Sequence, residues 1–538
     1  MLKWLRDVLG DHAEIDVVGH GAIADAFADG LAEQSQRVHR LASLDEIDPT
    51  ASPRAILFAA ESDAAALTST QSFVARSAAR EKELVLAVAC DTPATITALQ
   101  DLDATSPASL RVRPLCRDAR IARLLLLEHP FTRYEKSCAP YHPVIVGTAP
   151  LAEHLIFQLF RMMHLPGVQP AVSVVGKDAK PWVDALLSRF PALSAIGTVT
   201  SAGGPTDVAS ATSIYVVDAG AWDSALATSA APIYWLAAGT PPPGVIAVKD
   251  VGWKDLAAPL LSDPIDRQAR GIHDLYLEER RQAGDAMNSR PSMRPWEMLP
   301  ERFRSASRHQ ADHINTKLDY IRCRTKAETK PRFDFSSSEL EALSESEHRR
   351  WEAVQRLDGW TFGEKRDDAA KKTPMLVPYE QLSQEIKDLD RLSVRAVPAQ
   401  TEAAGLAIVR DMRVRFLLSE AQAKAHALKS TLIDLIADLQ KRYPDRVVVA
   451  DIPLGSAAEP AILAACEESG ITIRLSVTSG QSLDNRAPAI ARAEKIIVDG
   501  PIDACEMLVR GNTVAEEPGH RRVVVLDEQL HIVEAPWL

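Results

Sequence analysis

Cysteine is scarce in this sequence. Its six residues, Cys90, Cys116, Cys138, Cys323, Cys466 and Cys505, are scattered with neither a CxxC pair nor a Cys/His spacing. That argues against a zinc site and a disulfide framework, and fits a reducing, cytoplasmic setting. Positive charge is also short: 61 Lys and Arg stand against 73 Asp and Glu, for a net charge of -12. A chain of that balance lacks the basic surface a phosphate backbone requires, so nucleic acid is not expected as its main partner. Long apolar runs are missing as well. The longest, around residues 124–127, is stopped by Glu128 and His129, far short of the roughly 18 residues of a membrane span, and no signal-peptide pattern opens the sequence. There is no Walker A loop, GxSxG elbow, HExxH pair or zinc-deaminase pattern. No catalytic residue and no metal ligand is therefore assigned, and the balance leans away from an enzyme.

What the chain has is length and alternation. Its 538 residues give room for about three to five domains. Residues 15–18 are apolar and β-branched, and Gly19, His20, Gly21, Ala22, Ile23 and Ala24 lead from them into an amphipathic stretch over 26–31. A GxGxxA turn between strand and helix has the placement of a dinucleotide fingerprint, whose glycines let backbone N–H groups approach a pyrophosphate. Gly19, Gly21 and Ala24 are thus candidate cofactor contacts. The second strand, near 37–41, ends without the usual ribose-binding acid, Asp45 lying a little beyond it. Further strands at 55–59 and 84–89 alternate with helices, as in a doubly wound sheet. The plan repeats from about residue 141: strand 143–146, a turn opened by Gly147, a helix to about 163, then strand 171–175 leading to Gly176, Lys177 and Asp178. Asp178 is placed as a ribose acid, whereas Pro150 removes a donor N–H from the turn. Strands at 214–217, 233–236 and 245–248 complete this second sheet. Both turns leave two readings open, a nucleotide site and a packed scaffold.

From Ala269 the pattern turns helical, through Trp296, Arg304 and Arg308. His309 and His313, four apart and without an acid or cysteine partner, read with Arg308 as a polar helix face rather than a metal or phosphate site. A charged linker at 326–331 leads to the most distinctive stretch, residues 347–391. Trp351, Trp360, Phe362 and Tyr379 crowd into it, although aromatics make up only 5% of the chain. Leu340, Leu343, Trp351, Val354 and Leu357 share one helical face, with Ser336 to Ser338 as N-caps. Gly359 ends that helix, and in an extended turn Trp360 and Phe362 project to one side. Trp351 reads as core. Trp360, Phe362 and Tyr379 divide between core and ligand contact, and Asp367, Asp368, Asp388 and Asp390 read as solvated. A second linker at 397–404 and a long helix over about 417–443 precede a third α/β unit, with strands at 446–450, 471–477, 495–498 and 522–526.

The aromatic stretch resembles the RyR domain, a module of ryanodine receptors also found in bacterial and phage proteins. Glu347, His348 and Trp351 stand for its EHxxW, and Gly359, Trp360, Phe362 and Gly363 for its GWxYG, with Phe362 in place of Tyr. Pro374, Leu376, Val377, Pro378, Tyr379 and Leu382 follow its LVPY segment, with Thr373 where a His often stands, and Lys387, Asp388, Asp390 and Arg391 follow its closing helix. The resemblance implies a small, mainly α, ligand-binding module for which nucleotide-derived ligands are proposed. The helices before it resemble those preceding RyR domains in bacterial proteins, at His273, Tyr276, Leu277, Trp296, Arg304, Arg308, Gln310, Ala311, His313, Lys317 and Leu318, with Ser307 for Asn. The first two α/β units resemble TrkA-N Rossmann domains. The run PLGSAAE at 453–459, with Ala465 and Gly470, resembles the SLOG type, in which Gly455 and Glu459 would face a nucleotide. The PGGxGTxxE signature of its hydrolase relatives is absent.

The expectation is an α/β multidomain chain: a Rossmann-like doubly wound parallel sheet over 1–137, a second over 138–262, a helical connector over 263–330, a small mainly α RyR domain over 331–397 and a SLOG-like Rossmannoid domain over 398–538. The expected function is that of a soluble sensor for a nucleotide-derived small molecule, such as NAD(P) or an ADP-ribose-like ligand. Its base would stack on Trp360, Phe362 and Tyr379 while Lys372, Arg391 and His348 meet its polar groups. The alternatives are a nucleotide hydrolase using the turn at 453–459 and a structural assembly subunit, with antiphage defence as the family context. Homo-oligomerisation is left open.

Overall fold

The computed structural model describes residues 14–34, 36–48, 54–129, 141–204, 211–228, 231–257, 263–327, 333–417, 427–443, 446–453 and 459–476, and the strands at 495–499, 522–526 and 532–533. The chain divides into two compact bodies. One comprises 1–133, 140–317 and 334–406, the other 134–139, 318–333 and 407–538.

In the first body, β1 (Glu14–Val18), α1 (Ala22–Ala32), β2 (Arg37–Leu41), β3 (Arg54–Phe58), α2 (Asp63–Arg76), β4 (Leu84–Ala89), α3 (Pro93–Thr105), β5 (Leu110–Leu115) and α4 (Arg117–Glu128) build a five-stranded sheet. Its order is β2-β1-β3-β4-β5 and every pairing is parallel. β4 reads LVLAVA without alternation because helices cover both faces of the sheet. Ser62 and Thr92 start α2 and α3 by accepting backbone N–H groups.

A second sheet in this body follows from β6 (Pro143–Val146), α5 (Pro150–Met162), β7 (Ala171–Val175), α6 (Ala179–Arg189), α7 (Ala192–Ile196), β8 (Thr198–Ala202), β9 (Ser213–Val216), β10 (Ile233–Trp235) and β11 (Ile246–Ala247). Its order, β8-β7-β6-β9-β10-β11, reverses between β6 and β9, as in dinucleotide-binding sheets. α5 is buried along almost its whole length, with Glu153, His154, Gln158 and Arg161 gathered on one face and apolar residues over the rest. The sheet lies on one side of it and neighbouring helices on the other.

Helices complete the body: α8 (Trp253–Ala257), which packs on α1 through Trp253 and Phe27, then α9 (Arg267–Gln282), α10 (Glu301–Asp312) and α11 (Ile314–Tyr320), of which residues 314–317 belong to this body. The aromatic stretch forms α12 (Ser337–Leu357), α13 (Gln384–Arg395) and α14 (Val397–Ala403). Ser336 and Glu339 close a capping box at the start of α12. Between α12 and α13, Thr361–Phe362 pairs with Lys372–Thr373 in a two-residue parallel ladder.

The second body has β12 (Cys323–Lys326), β13 (Ala407–Leu417), α15 (Leu428–Arg442), β14 (Arg446–Pro453), α16 (Glu459–Glu468), β15 (Thr472–Ser476), β16 (Lys495–Asp499), β17 (Arg522–Leu526) and β18 (Ile532–Val533). The order is β15-β14-β13-β16-β17-β18, with β12 antiparallel to β13. Two expectations are corrected. The stretch at 397–404 is mainly the helix α14 rather than a linker, and residues 407–417 are strand, the following helix beginning only at Leu428. β13 is central, so its buried Asp411 needs a partner inside the sheet; Arg324 on β12 supplies it at 2.6 Å. Among the described residues no helix is long and apolar enough to cross a membrane.

Candidate functional site: an arginine-walled cavity

Along the free edge of the first sheet lies a cavity of about 360 Å³, walled by β5, α3, α4, α5, α9, α10 and the turn at Trp296. One buried carboxylate sets its geometry. Asp103, on α3, accepts the Val112 N–H at 2.7 Å and the Arg111 guanidinium at 3.2 Å, and its other oxygen accepts the Glu301 N–H at 2.6 Å. It thereby pins the first turn of α10 to β5. On α10, Glu301, Arg304, Ser305 and Arg308 recur at spacings of three and four, so one helical face lines the cavity. Arg120 and Arg123 on α4 face it for the same reason. The buried Trp296 ring lies 4.7 Å from the Arg304 guanidinium and 5.9 Å from that of Arg308.

Eight arginines line this space, against four carboxylates, Asp263, Asp266, Glu297 and Glu301. Asp266 accepts Arg308 Nε at 2.8 Å and Arg123 at 2.7 Å, and Arg123 also grips Asp312 at 2.9 Å. Arg113 donates to Glu301 at 2.8 Å and to the carbonyls of Glu297 and Leu299. Arg120 meets Asp263, and Arg270 meets Glu297. Burial alone would raise the Asp266 carboxyl, but Arg308 and then Arg123 overcome it and hold the group far below the usual range. Arg304 is held only by looser ion pairs. It stands 3.7 Å from Asp266 and 4.0 Å from Glu301, and burial together with Arg113 and Arg308 pushes its guanidinium down to about 9. Arg161, 3.7 Å from Asp358, is lowered by burial too. The buried Nε of Arg113, Arg161 and Arg304 and the Nδ1 of His309 have no hydrogen-bond partner. A surplus of positive charge with unspent donors is an anion-binding arrangement.

Of the positions named in the sequence, Cys116 and several of the connector lie in this wall, and in the connector the expected polar helix face is turned inward. His313 is fully buried and bonds the His164 carbonyl at 3.1 Å, while Arg308 and His309 point into the cavity. Their neighbours come from α4, α5 and α9, remote in sequence. Sequence reasoning missed Arg113, Arg120, Arg123, Arg161, Arg267 and Arg270. The available signals were an arginine inside the strand LRVRPL and the three-residue spacing of RDARIAR.

The other candidates fall as follows. Gly19 follows β1, Gly21 is the N-cap of α1 and Ala24 is buried on α1. Gly147 follows β6 against Asp218, and Asp178, exposed, is the N-cap of α6 beyond β7. Gly455 lies outside the described residues, and of Glu459 only its place at the start of α16 is described. In the aromatic stretch the candidates separate. His348 is buried, with Nε2 donating to the Val377 carbonyl at 2.8 Å and Nδ1 3.5 Å from Asp390. Its ring stacks on the half-buried Trp351 at 5.8 Å and meets Tyr379 at 6.0 Å. Tyr379 is buried and donates to Glu341 at 3.1 Å, and Arg391 holds the same carboxylate at 2.8 and 3.0 Å. Trp360 is half-buried under the Arg366 guanidinium at 5.3 Å, Phe362 is 53% exposed and Lys372 is exposed. Among the described residues no ring contact joins Trp360 or Phe362 to Tyr379.

This segment has a recognisable family. Residues 336–410 match the RyR domain. The match opens on Ser336, the N-cap of α12, and ends within β13. No curated protein matches the chain. Within the RyR segment the motif residues Glu347, His348 and Tyr379 are internal fasteners.

Proposed function

We propose that this protein is a sensor for a nucleotide-derived small molecule, whose anionic groups are held in the arginine-walled cavity. The observation carrying this reading is the loosely paired guanidinium of Arg304, whose buried Nε has no hydrogen-bond partner, one of eight arginines around 360 Å³. That volume lies at the lower end of the range for small-molecule sites. Buried donors without partners are costly, and phosphate oxygens are the natural acceptors for forked guanidinium groups. Trp296 gives the site an aromatic wall. The TrkA-N-like reading of the two N-terminal sheets and the SLOG-like reading of the second body belong to the same proposal, as does kinship with bacterial and phage RyR proteins.

A sensor also needs an output. Arg161 runs from the cavity wall to Asp358, the C-cap of α12 immediately before the Gly359 turn, and Lys371 Nζ donates to the Asp358 carbonyl at 3.0 Å. A phosphate that draws Arg161 toward itself weakens that tie, and so reaches the turn carrying Trp360 and Phe362. In this reading Trp360 remains a stacking surface, while Tyr379, His348 and Arg391 hold the domain together.

Calorimetric titration of the full chain with AMP, ADP-ribose, NAD and a cyclic nucleotide tests the proposal. At least one should bind stoichiometrically and more weakly at high salt, and Arg304→Met should lose roughly tenfold or more in affinity, since a charge-assisted bond contributes about 1.5–3 kcal/mol. Absence of binding across the panel, or equal binding by Arg304→Met, would overturn it.

A further inference from the structure

Two of the free cysteines are neighbours. Cys90 follows β4 and Cys116 follows β5, and the register pairs Ala89 with Leu115, so the two cysteines stand side by side at the carboxyl edge of the sheet. The Cys90 N–H continues the ladder to the Leu115 carbonyl at 2.9 Å. Both side chains belong to one apolar cluster, hence to one face of the sheet. Adjacent strands lie about 4.8 Å apart, inside the span of about 4.4–6.8 Å that a disulfide bridges between Cα atoms. Each thiol donates to a backbone carbonyl at this edge, Cys90 Sγ to Leu115 at 3.7 Å and Cys116 Sγ to Asp91 at 3.8 Å.

Their surroundings differ. Cys116 is the N-cap of the twelve-residue α4, lines the cavity, and has His154 Nε2 3.5 Å from its sulfur. That nitrogen also meets the Asp91 carbonyl at 2.7 Å, so it carries a proton and presents it beside the sulfur. Cys90 is more deeply buried, at 2% exposure. The neighbouring Cys90 thiol, working against burial and aided by His154, moves the Cys116 thiol down, while Cys90 moves up.

We propose that Cys90 and Cys116 are a peroxide-sensitive dithiol, with Cys116 the sulfur attacked from the cavity and Cys90 the resolving partner. The Cys116 thiolate attacks the peroxide O–O bond; one oxygen stays as the sulfenic acid and the other leaves as hydroxide, which takes up a proton to become water. The Cys90 sulfur then attacks the sulfenic sulfur, its proton leaves with the displaced hydroxyl as a second water, and a disulfide joins the ends of β4 and β5. Two thiols lose two electrons and hydrogen peroxide gains them. The protonated His154 nitrogen steadies the thiolate, and the helix N-terminus acts in the same sense. This inference stands apart from the identity of any nucleotide ligand.

The full-length chain, reduced and then exposed to graded hydrogen peroxide, can be alkylated under denaturing conditions and mapped by peptide mass spectrometry. A linked Cys90–Cys116 peptide should form roughly tenfold or more faster than oxidation of the buried Cys323 and Cys466, and dithiothreitol should reverse it. In Cys90→Ser, checked for fold by circular dichroism, oxidation should stop at a Cys116 sulfenic acid that dimedone traps. The proposal fails if no linked peptide forms at peroxide levels that oxidise Cys323 and Cys466. It fails equally if dimedone labels Cys116 in Cys90→Ser no more than those two.

Discussion

Lys317 and Glu347 are ion-paired in the interior, the ammonium of a connector helix against the carboxylate of the RyR helix α12, both almost wholly buried. Arg350 adds two further bonds to Glu347, at 2.8 and 3.1 Å. Burial would raise this carboxyl, but Arg350 and Lys317 hold it far below the ordinary range. The first acid of the EHxxW motif is therefore a fastener. Glu347→Gln leaves two cations facing each other and should cost about 3–5 kcal/mol, read by denaturant unfolding. Lys317→Met leaves the Arg350 pair intact and should cost clearly less; the reverse ranking would mean that Lys317, not Glu347, is the centre of the cluster.

Acid should loosen the first body in two stages. His164 is lowered to about 4 by burial, and burial with nearby cations lowers His309 and His313 well below their ordinary 6.5. Below pH 6.5 the unfolded chain binds protons that these buried rings refuse, so stability falls as pH drops. The slope is up to about 1.4 kcal/mol per pH unit for each ring. Asp266 and Glu347, both held low, contribute stability that is present above their unfolded values and is lost as pH falls further. Melting temperatures between pH 7.5 and 4 should decline from about pH 6.5 and steepen below about 4.5; a flat profile from 7 to 5 would count against neutral buried histidines.

Much of this fold was legible in the chain because β-branched runs such as those of β4, β6 and β7 stay apolar when helices cover both faces. β5 and β13 escaped notice because charges interrupt them. Arg111, Arg113 and Asp411 are buried in strands only because Asp103, Glu301 and Arg324 meet them, and Glu301 is 188 residues from Arg113. The cavity was hidden for the same reason: its arginines come from separate elements, and their excess over carboxylates exists only once those elements converge. The EHxxW and LVPY motifs were visible, but a motif does not say whether its ring faces a ligand, and His348 and Tyr379 face each other.

The cavity arginines should trade stability for binding. Arg304 is only loosely paired, 3.7 Å from Asp266 and 4.0 Å from Glu301, and is repelled by Arg113 and Arg308. Methionine fills a similar volume over the Trp296 ring without the charge. Arg304→Met should therefore raise the stability of the ligand-free chain by roughly 0.5–2 kcal/mol while removing ligand affinity. Paired denaturation and titration experiments read both. Destabilisation on its own would identify Arg304 as a structural cation and remove the main support for the cavity as an anion site.

The two glycines of the first turn separate a structural need from a binding one. Gly19 is buried with φ near +113°, and a Cβ there would sit 2.0 Å from the carbonyl oxygen of Ala59, a residue whose N–H continues the β1–β3 ladder by donating to the Val18 carbonyl. Neither the strand nor the turn can yield, so Gly19→Ala should cost roughly 3 kcal/mol or more. Gly21 has φ near +84° but no atom within 4 Å of the same added carbon. Its replacement should cost only the backbone strain, about 1–3 kcal/mol. Denaturant unfolding of the two variants tests the difference, and equal losses would show that strand packing does not explain Gly19. Because Gly21→Ala keeps the fold, it also isolates function: if a pyrophosphate sat on the N-terminus of α1, the added methyl would obstruct it. Undiminished nucleotide binding by Gly21→Ala therefore assigns the glycine turn to architecture and leaves ligand recognition to the arginines beside β5.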